Sequence, residues 1–135
     1  MSVCKYKTGR HSCYSLHLHI VFVTKYRRKA FGAKHLARLK EIFTELPQGF
    51  NADLIECNGE KDHIHLLIET SPKTPGVSKL VNSLKAVSSR RLRREFTDIA
   101  GANSKQVLWS RSYFAGTCGG APLDVIAKYV QNQQA

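Results

Sequence analysis

The stretch "YSLHLHIVFVT", Tyr14 to Thr24, alternates without a break. In an extended chain Leu16, Leu18, Ile20 and Phe22 fall on one side, and His17, His19, Val21 and Val23 on the other. "HIHLLIE", His63 to Glu69, repeats the device: Ile64, Leu66 and Ile68 lie on one side, His63 and His65 on the other. Two such strands each need a cover for their aliphatic side. Core packing accounts for the aliphatics but not for imidazoles at alternate positions of both strands.

The cover is supplied by helical periodicity. Leu36, Leu39, Phe43 and Leu46 recur at helical spacing between about Ala33 and Leu46, and Pro47 stops that helix. Leu80, Val81, Leu84 and Val87 form the stripe of a second helix from about Val77 to Phe96. "FNADLIEC" reads as a strand, followed by the turn signal Asn58-Gly59 in a connection extending as far as Asp62. "QVLWSRSYF" reads as the fourth strand and "AGTCGG" as a glycine-rich hinge. A last helix is expected from near Pro122 to about Gln133. The order β-α-β-β-α-β, then α, predicts an α+β, ferredoxin-like (RRM-like) antiparallel sheet plus a C-terminal helix. In it the first and third strands are central neighbours, and His17, His19, His63 and His65 share the face turned away from the two helices.

The length of 135 residues fits one domain, 1–135, with a real core. Lys and Arg number 21 against 10 Asp and Glu, a net charge of +11, which implies a polyanionic partner. Nucleic acid is the first candidate and an anionic membrane surface the second. No apolar stretch approaches the ~18 residues of a membrane span, and "MSVCKYKTGRHSC" lacks the apolar core of a secretory signal. Cys4, Cys13, Cys57 and Cys118 form no C-x-x-C pair and are expected as free thiols.

An H-x-H pair on a strand puts two rings within reach of one metal ion. By itself the signal is weak, because the chain contains the pair twice, and a metal needs a further ligand. The last helix offers one. Tyr129 and Gln133 lie four residues apart on a flank of the stripe Leu123, Ile126, Ala127 and Val130. If that stripe packs on the histidine face, a phenol and a carboxamide reach the imidazoles. A phenol is a weak nucleophile at neutral pH, with a pKa of about 10, but a divalent cation on the scissile phosphate would assist its attack. Two imidazoles and an amide oxygen leave positions open for phosphate and water, which suits Mg²⁺ or Mn²⁺. Two basic clusters are candidate phosphate contacts: Lys25, Arg27 and Arg28 after the first strand, and Arg90, Arg91, Arg93 and Arg94 on the second helix. Tyr26 and Phe31 are candidate stacking partners for unpaired bases, whereas Trp109 and Tyr113 fit the core or an interface.

These residues resemble the single-tyrosine HUH transposases (TnpA type) of insertion sequences that move as single-stranded DNA. The resemblance rests on "HIVFVTKYRRKAF", "DHIHLLIE", "LKAVSSRRLRREF", "LWSRSYFAGTCGG" and "IAKYVQNQ", in family order and spacing. It implies His63, His65 and Gln133 as ligands of Mg²⁺ or Mn²⁺, and Tyr129 as the nucleophile that forms a 5′-phosphotyrosine before strand transfer by a 3′-hydroxyl. It favours the second H-x-H pair, beside Asp62. His19 then stands next to the site on the adjacent strand, as a DNA contact or as a partner to the ligands. It further implies a homodimer with exchangeable tyrosine helices, recognition of DNA hairpins at element ends, no ATP requirement, and action in the prokaryotic cytoplasm at the nucleoid. The rival from another class is a non-catalytic RNA- or single-strand-binding module. Such modules carry stacking aromatics where this chain carries histidines.

Overall fold

The computed structural model describes residues 7–8, 13–14, 16–100 and 107–117. Two short strands, β1 (Lys7–Thr8) and β2 (Cys13–Tyr14), pair with each other. The main sheet is built from β3 (Leu16–Thr24), β4 (Asp53–Glu60), β5 (His63–Thr70) and β6 (Trp109–Thr117). It is antiparallel throughout, in the order β4-β5-β3-β6. The two H-x-H strands are therefore the central neighbours, as the element order predicts. The helices are α1 (Ala33–Glu45), α2 (Val77–Glu95) and a short α3 (Thr97–Ala100).

Register puts aliphatic opposite aliphatic. Leu18 faces Ile68, Ile20 faces Leu66 and Phe22 faces Ile64, with Ala115 and Tyr113 continuing the last two rows onto β6. Leu39 and Phe43 of α1 and Leu80, Val81, Leu84 and Leu92 of α2 close over this face. Each such side chain contributes roughly 1.5–3 kcal/mol by leaving water. Phe22, Phe31, Phe43 and Trp109 form a tilted aromatic cluster with ring centroids 5.4–6.0 Å apart.

The structure corrects four local readings. Asn58-Gly59 is not the turn: β4 runs on to Glu60, and Lys61 and Asp62 make a two-residue turn. Gly59 is required for packing instead, since a Cβ there would lie 2.8 Å from Leu36 Cδ2 and 3.1 Å from the His63 carbonyl. The fourth strand starts at Trp109 and continues through Gly116, which pairs with His19, so Gly116 is strand rather than hinge. Phe31 is buried in the core and is not a stacking platform for bases. On α2, Ser88 rather than Val87 takes the fully buried position, because its hydroxyl accepts the Trp109 indole N–H at 3.0 Å. A bulge separates the Phe22–Tyr113 and Thr24–Trp109 pairs. Nearby, the Lys85 ammonium donates to the Ser110 and Arg111 carbonyls at 2.7 and 3.1 Å. The expected last helix and Gly119, Gly120, Tyr129 and Gln133 lie outside the described residues.

Candidate active site

On the face turned away from the helices, register assembles three rows. Glu60 of β4, His63 of β5 and Val23 of β3 make one, and Asn58, His65, Val21 and Phe114 the next. Glu56, Leu67, His19 and Gly116 make the third. The rings of His63 and His65 stand edge to face, 4.9 Å between centroids. His19 lies diagonally across from His65 and close enough to act on its charge. Val21, Val23 and Leu67 are buried, so this face is covered and is not a bare platform.

The Lys61–Asp62 turn is laced to the segment that leaves β3. Thr24 N–H donates to the Asp62 carbonyl at 2.9 Å and Phe31 N–H to the Lys61 carbonyl at 3.0 Å. The Thr24 hydroxyl donates to the Arg28 carbonyl at 2.7 Å. Between these ties the chain makes a tight turn, Lys25–Arg27, in which Tyr26 and Arg27 adopt positive φ angles of 60° and 52°. Left-handed backbone at non-glycine residues costs roughly 1–3 kcal/mol each and persists only where its surroundings enforce it. Here it throws Tyr26 outward, where Lys25 lies over its ring, and turns Arg27 inward.

The Arg27 guanidinium meets Asp62 side on, with its Nε edge. Its Nε and one terminal nitrogen donate to Asp62 Oδ2 at 3.1 and 3.0 Å. The other carboxylate oxygen, Oδ1, lies 2.8 Å from His63 Nδ1. Burial alone would raise the Asp62 carboxyl, but the hydrogen bonds from His63 and Arg27 outweigh it and hold the group below its ordinary value. An ionised carboxylate only accepts, so His63 Nδ1 carries the hydrogen and Nε2 keeps its lone pair in the neutral ring. Nε2 lies 3.9 Å from the carboxylate of Glu60, which is mostly exposed. Burial, followed by the charge of His63, pushes His65 below the ordinary histidine value, with His19 adding to the shift and Glu60 opposing it. Burial and the charge of His63 both disfavour the charged imidazolium of His65, the form that cannot ligate.

This donor set fits a divalent cation in part. A ring nitrogen whose partner N–H is held by a carboxylate is the usual setting of a ligating histidine, and His65 adds a second imidazole beside it. Among the described residues, no group of three His, Cys, Asp or Glu side chains is arranged to hold a metal ion. Gln133, the third ligand expected from the sequence, lies outside those residues, as does Tyr129.

The basic clusters are not brought together. Lys25, Arg27 and Arg28 lie beside the Asp62 turn, while α2 belongs to the helix layer on the opposite face of the sheet. Arg28 donates to the Val107 carbonyl at 3.1 Å. Arg90 and Arg94 are exposed, and Arg91 and Arg93 half-buried. Arg91 lies 3.7 Å from Glu45. The inward turn of Arg27 onto a carboxylate 35 positions away is the feature that sequence reasoning missed. The run "TKYRRK" carries no signal that its middle arginine differs from its neighbours.

Comparison with known proteins decides the family. The family model described as "Transposase IS200 like" matches residues 12–133. The chain belongs to the IS200-like transposase family. The transposase of insertion sequence IS200 from Salmonella typhimurium is 34% identical over 113 residues, 84% of this chain and 74% of that protein. The ISDra2 transposase TnpA of Deinococcus radiodurans is 27% identical over 127 residues, 94% of this chain and 90% of its own. Among solved structures, a putative transposase from Deinococcus radiodurans R1 superposes with a TM-score of 0.83 at 26% identity, covering 96% of this chain and 98% of its own. A REP-associated tyrosine transposase bound to a REP hairpin shares the fold, with a TM-score of 0.56 at 9% identity over 92% of this chain and 67% of that one. Membership gives the IS200-like chain its broad activity, DNA transposition of an insertion sequence. No helix among the described residues is long and apolar enough to cross a membrane.

Proposed function

We propose that this transposase cuts single-stranded DNA at element ends through Tyr129, with His63, His65 and Gln133 holding Mg²⁺ or Mn²⁺. The Tyr129 phenol gives up its proton and its oxygen bonds to phosphorus. The bond from phosphorus to the DNA 3′-oxygen breaks, leaving a 3′-hydroxyl and a 5′-phosphotyrosine. A 3′-hydroxyl then attacks that ester and releases the phenol, so the strand is rejoined without ATP. When bound, the cation would polarise the scissile phosphate and spread its developing charge. His63 and His65 would supply two neutral nitrogens, with Asp62 fixing which nitrogen of His63 is offered. The observation that carries the reading is the 2.8 Å contact of Asp62 with His63 Nδ1, which leaves Nε2 available beside His65.

Lys25, Arg28, Arg90 and Arg94 remain candidate phosphate contacts. The hairpin bound by the REP-associated transposase of the same fold supports hairpins near element ends as the recognised DNA. A homodimer, with the Tyr129 helix docking on either subunit, belongs to the same proposal. The test is a denaturing gel of wild-type protein and Tyr129→Phe incubated with single-stranded DNA from the element's flanks and Mg²⁺. The wild type is expected to carry covalently attached DNA, and the Phe variant to bind DNA without attachment. Nicking by the Phe variant at the same site would show that the nucleophile is another group.

A further inference from the structure

Arg27 belongs to a basic run that reads as a phosphate contact, yet the structure spends its guanidinium elsewhere. Two donors converge on Asp62 Oδ2, at 3.1 and 3.0 Å, while Oδ1 meets His63 Nδ1 at 2.8 Å. The Asp62 side chain is 12% exposed and that of Arg27 31%. The backbone is arranged for this contact: consecutive left-handed residues, Tyr26 and Arg27, turn the guanidinium towards the sheet, and Thr24 and Phe31 pin the facing turn by its carbonyls.

We propose that Arg27 is a positioning residue of the cleavage site, holding Asp62 so that His63 keeps one ring orientation and presents Nε2. The proposal rests on the reading of His63 and His65 as metal ligands. The Cα–Cβ torsion of Asp62 decides whether its carboxylate reaches the imidazole. With the guanidinium on Oδ2, rotation about that torsion breaks two charge-assisted hydrogen bonds. Without it, the carboxylate can turn towards solvent, and the His63 ring is then free to flip or to move its hydrogen to Nε2. Either change removes the lone pair from the side facing His65. Arg27 touches neither DNA nor cation on this account; it acts through Asp62. Carboxylate partners of ligating histidines typically govern metal affinity about 10- to 100-fold, and Arg27 is placed to pass on part of that effect.

The test compares wild type, Arg27→Gln and Arg27→Lys in three measurements. Long-range ¹H–¹⁵N NMR on the metal-free protein reads which His63 nitrogen carries hydrogen. It is expected to show Nδ1–H in the wild type and a mixture in Arg27→Gln. Calorimetric titration with Mn²⁺ alone is expected to show about 10-fold weaker binding in that variant. Binding of a single-stranded oligonucleotide in EDTA is expected to keep its affinity and salt slope. If the Gln variant does not fold, Arg27→Lys, which keeps the charge and loses the two-pronged donation, is expected to show the same tautomer mixing. An unchanged tautomer and Mn²⁺ affinity, with weaker oligonucleotide binding and a shallower salt slope, would make Arg27 a phosphate contact and overturn the proposal. If the wild type binds no Mn²⁺ but the tautomer still responds to Arg27, the positioning contact stands and the metal reading fails.

Discussion

The two H-x-H pairs of this chain lie on neighbouring strands of one sheet, on one face, and end in opposite situations. His17 faces Glu69 across the β3–β5 ladder, with Nε2 3.4 Å from Oε2 and both side chains less than a tenth exposed. Its other nitrogen is buried and has no hydrogen-bond partner among the described residues. His63 sits at the other end of β5, after a turn whose aspartate takes only Nδ1. Identical spacing thus gives one imidazole committed to a buried carboxylate and another held with a lone pair to offer. The motif fixes only that two rings share a face. Register decides the chemistry, because it chooses what stands opposite each ring.

The largest expected effect breaks the comparison at the cleavage step. His63→Ala or His65→Ala should reduce metal-dependent DNA cleavage by about a thousandfold or more, the several kcal/mol that a polarising cation supplies. His17→Ala should leave cleavage per folded molecule within a few-fold of wild type, as read in a single-turnover nicking assay. Equal losses at His17 and His63 would mean that the two pairs do not differ in function.

Stability should divide the pairs the other way. His17→Ala removes a buried partner of Glu69 and should lower unfolding free energy by about 1–3 kcal/mol. His63 is nearer the surface, and its replacement should cost less in the same urea melts. A smaller loss at His17 than at His63 would mean that the Glu69 contact contributes nothing. Gly59→Ala sharpens the contrast, because its Cβ would press on Leu36 and on the His63 carbonyl, whereas His17 pairs at the other end of β5. It should cost about 1–3 kcal/mol through overpacking and weaken Mn²⁺ binding as well.

The smallest effect lies outside both regions. Arg38 forks onto Glu95 at 2.7 and 3.0 Å, and that hydrogen bond, more than any other influence, holds the Glu95 carboxyl below its ordinary value. A carboxylate lowered by folding adds stability that is present above its unfolded pKa, about 4.3, and lost as pH falls through the folded value. Arg38→Gln should therefore lower the melting temperature slightly at pH 7. The gap to wild type should narrow as pH falls below the ordinary carboxylate value and close only below the lowered folded value, where Glu95 is protonated in both states. A gap that persists in acid would mean that Arg38 acts through packing. Because both side chains are solvent-facing, the whole effect should shrink in high salt.

Much of the fold was legible because alternation and helical stripes are local signals. The central placement of β3 and β5 and the two covering helices follow from them. What escaped depends on distant contacts. Gly59 reads as a turn residue until α1 is seen pressing on it, and Phe31 reads as exposed beside a basic run until Trp109 is seen against its ring. Ser88 sits within the stripe of α2 without declaring that it answers an indole on another strand. At the candidate site, spacing and resemblance singled out His63 and His65, and adjacency singled out Asp62; the structure brings these three side chains together. Arg27 was misread, since its partner is chosen by a left-handed turn that the residue types Tyr and Arg disfavour.

Of the two H-x-H pairs, the one containing His63 is proposed to offer nitrogens to a metal. Crystals soaked in Mn²⁺ and measured at the manganese absorption edge would test it most directly. An anomalous peak is expected bonded to His63 Nε2 and a ring nitrogen of His65, with Asp62 still on Nδ1 and no peak at His17. A peak between His17 and His19, or none at His63 and His65, would contradict it.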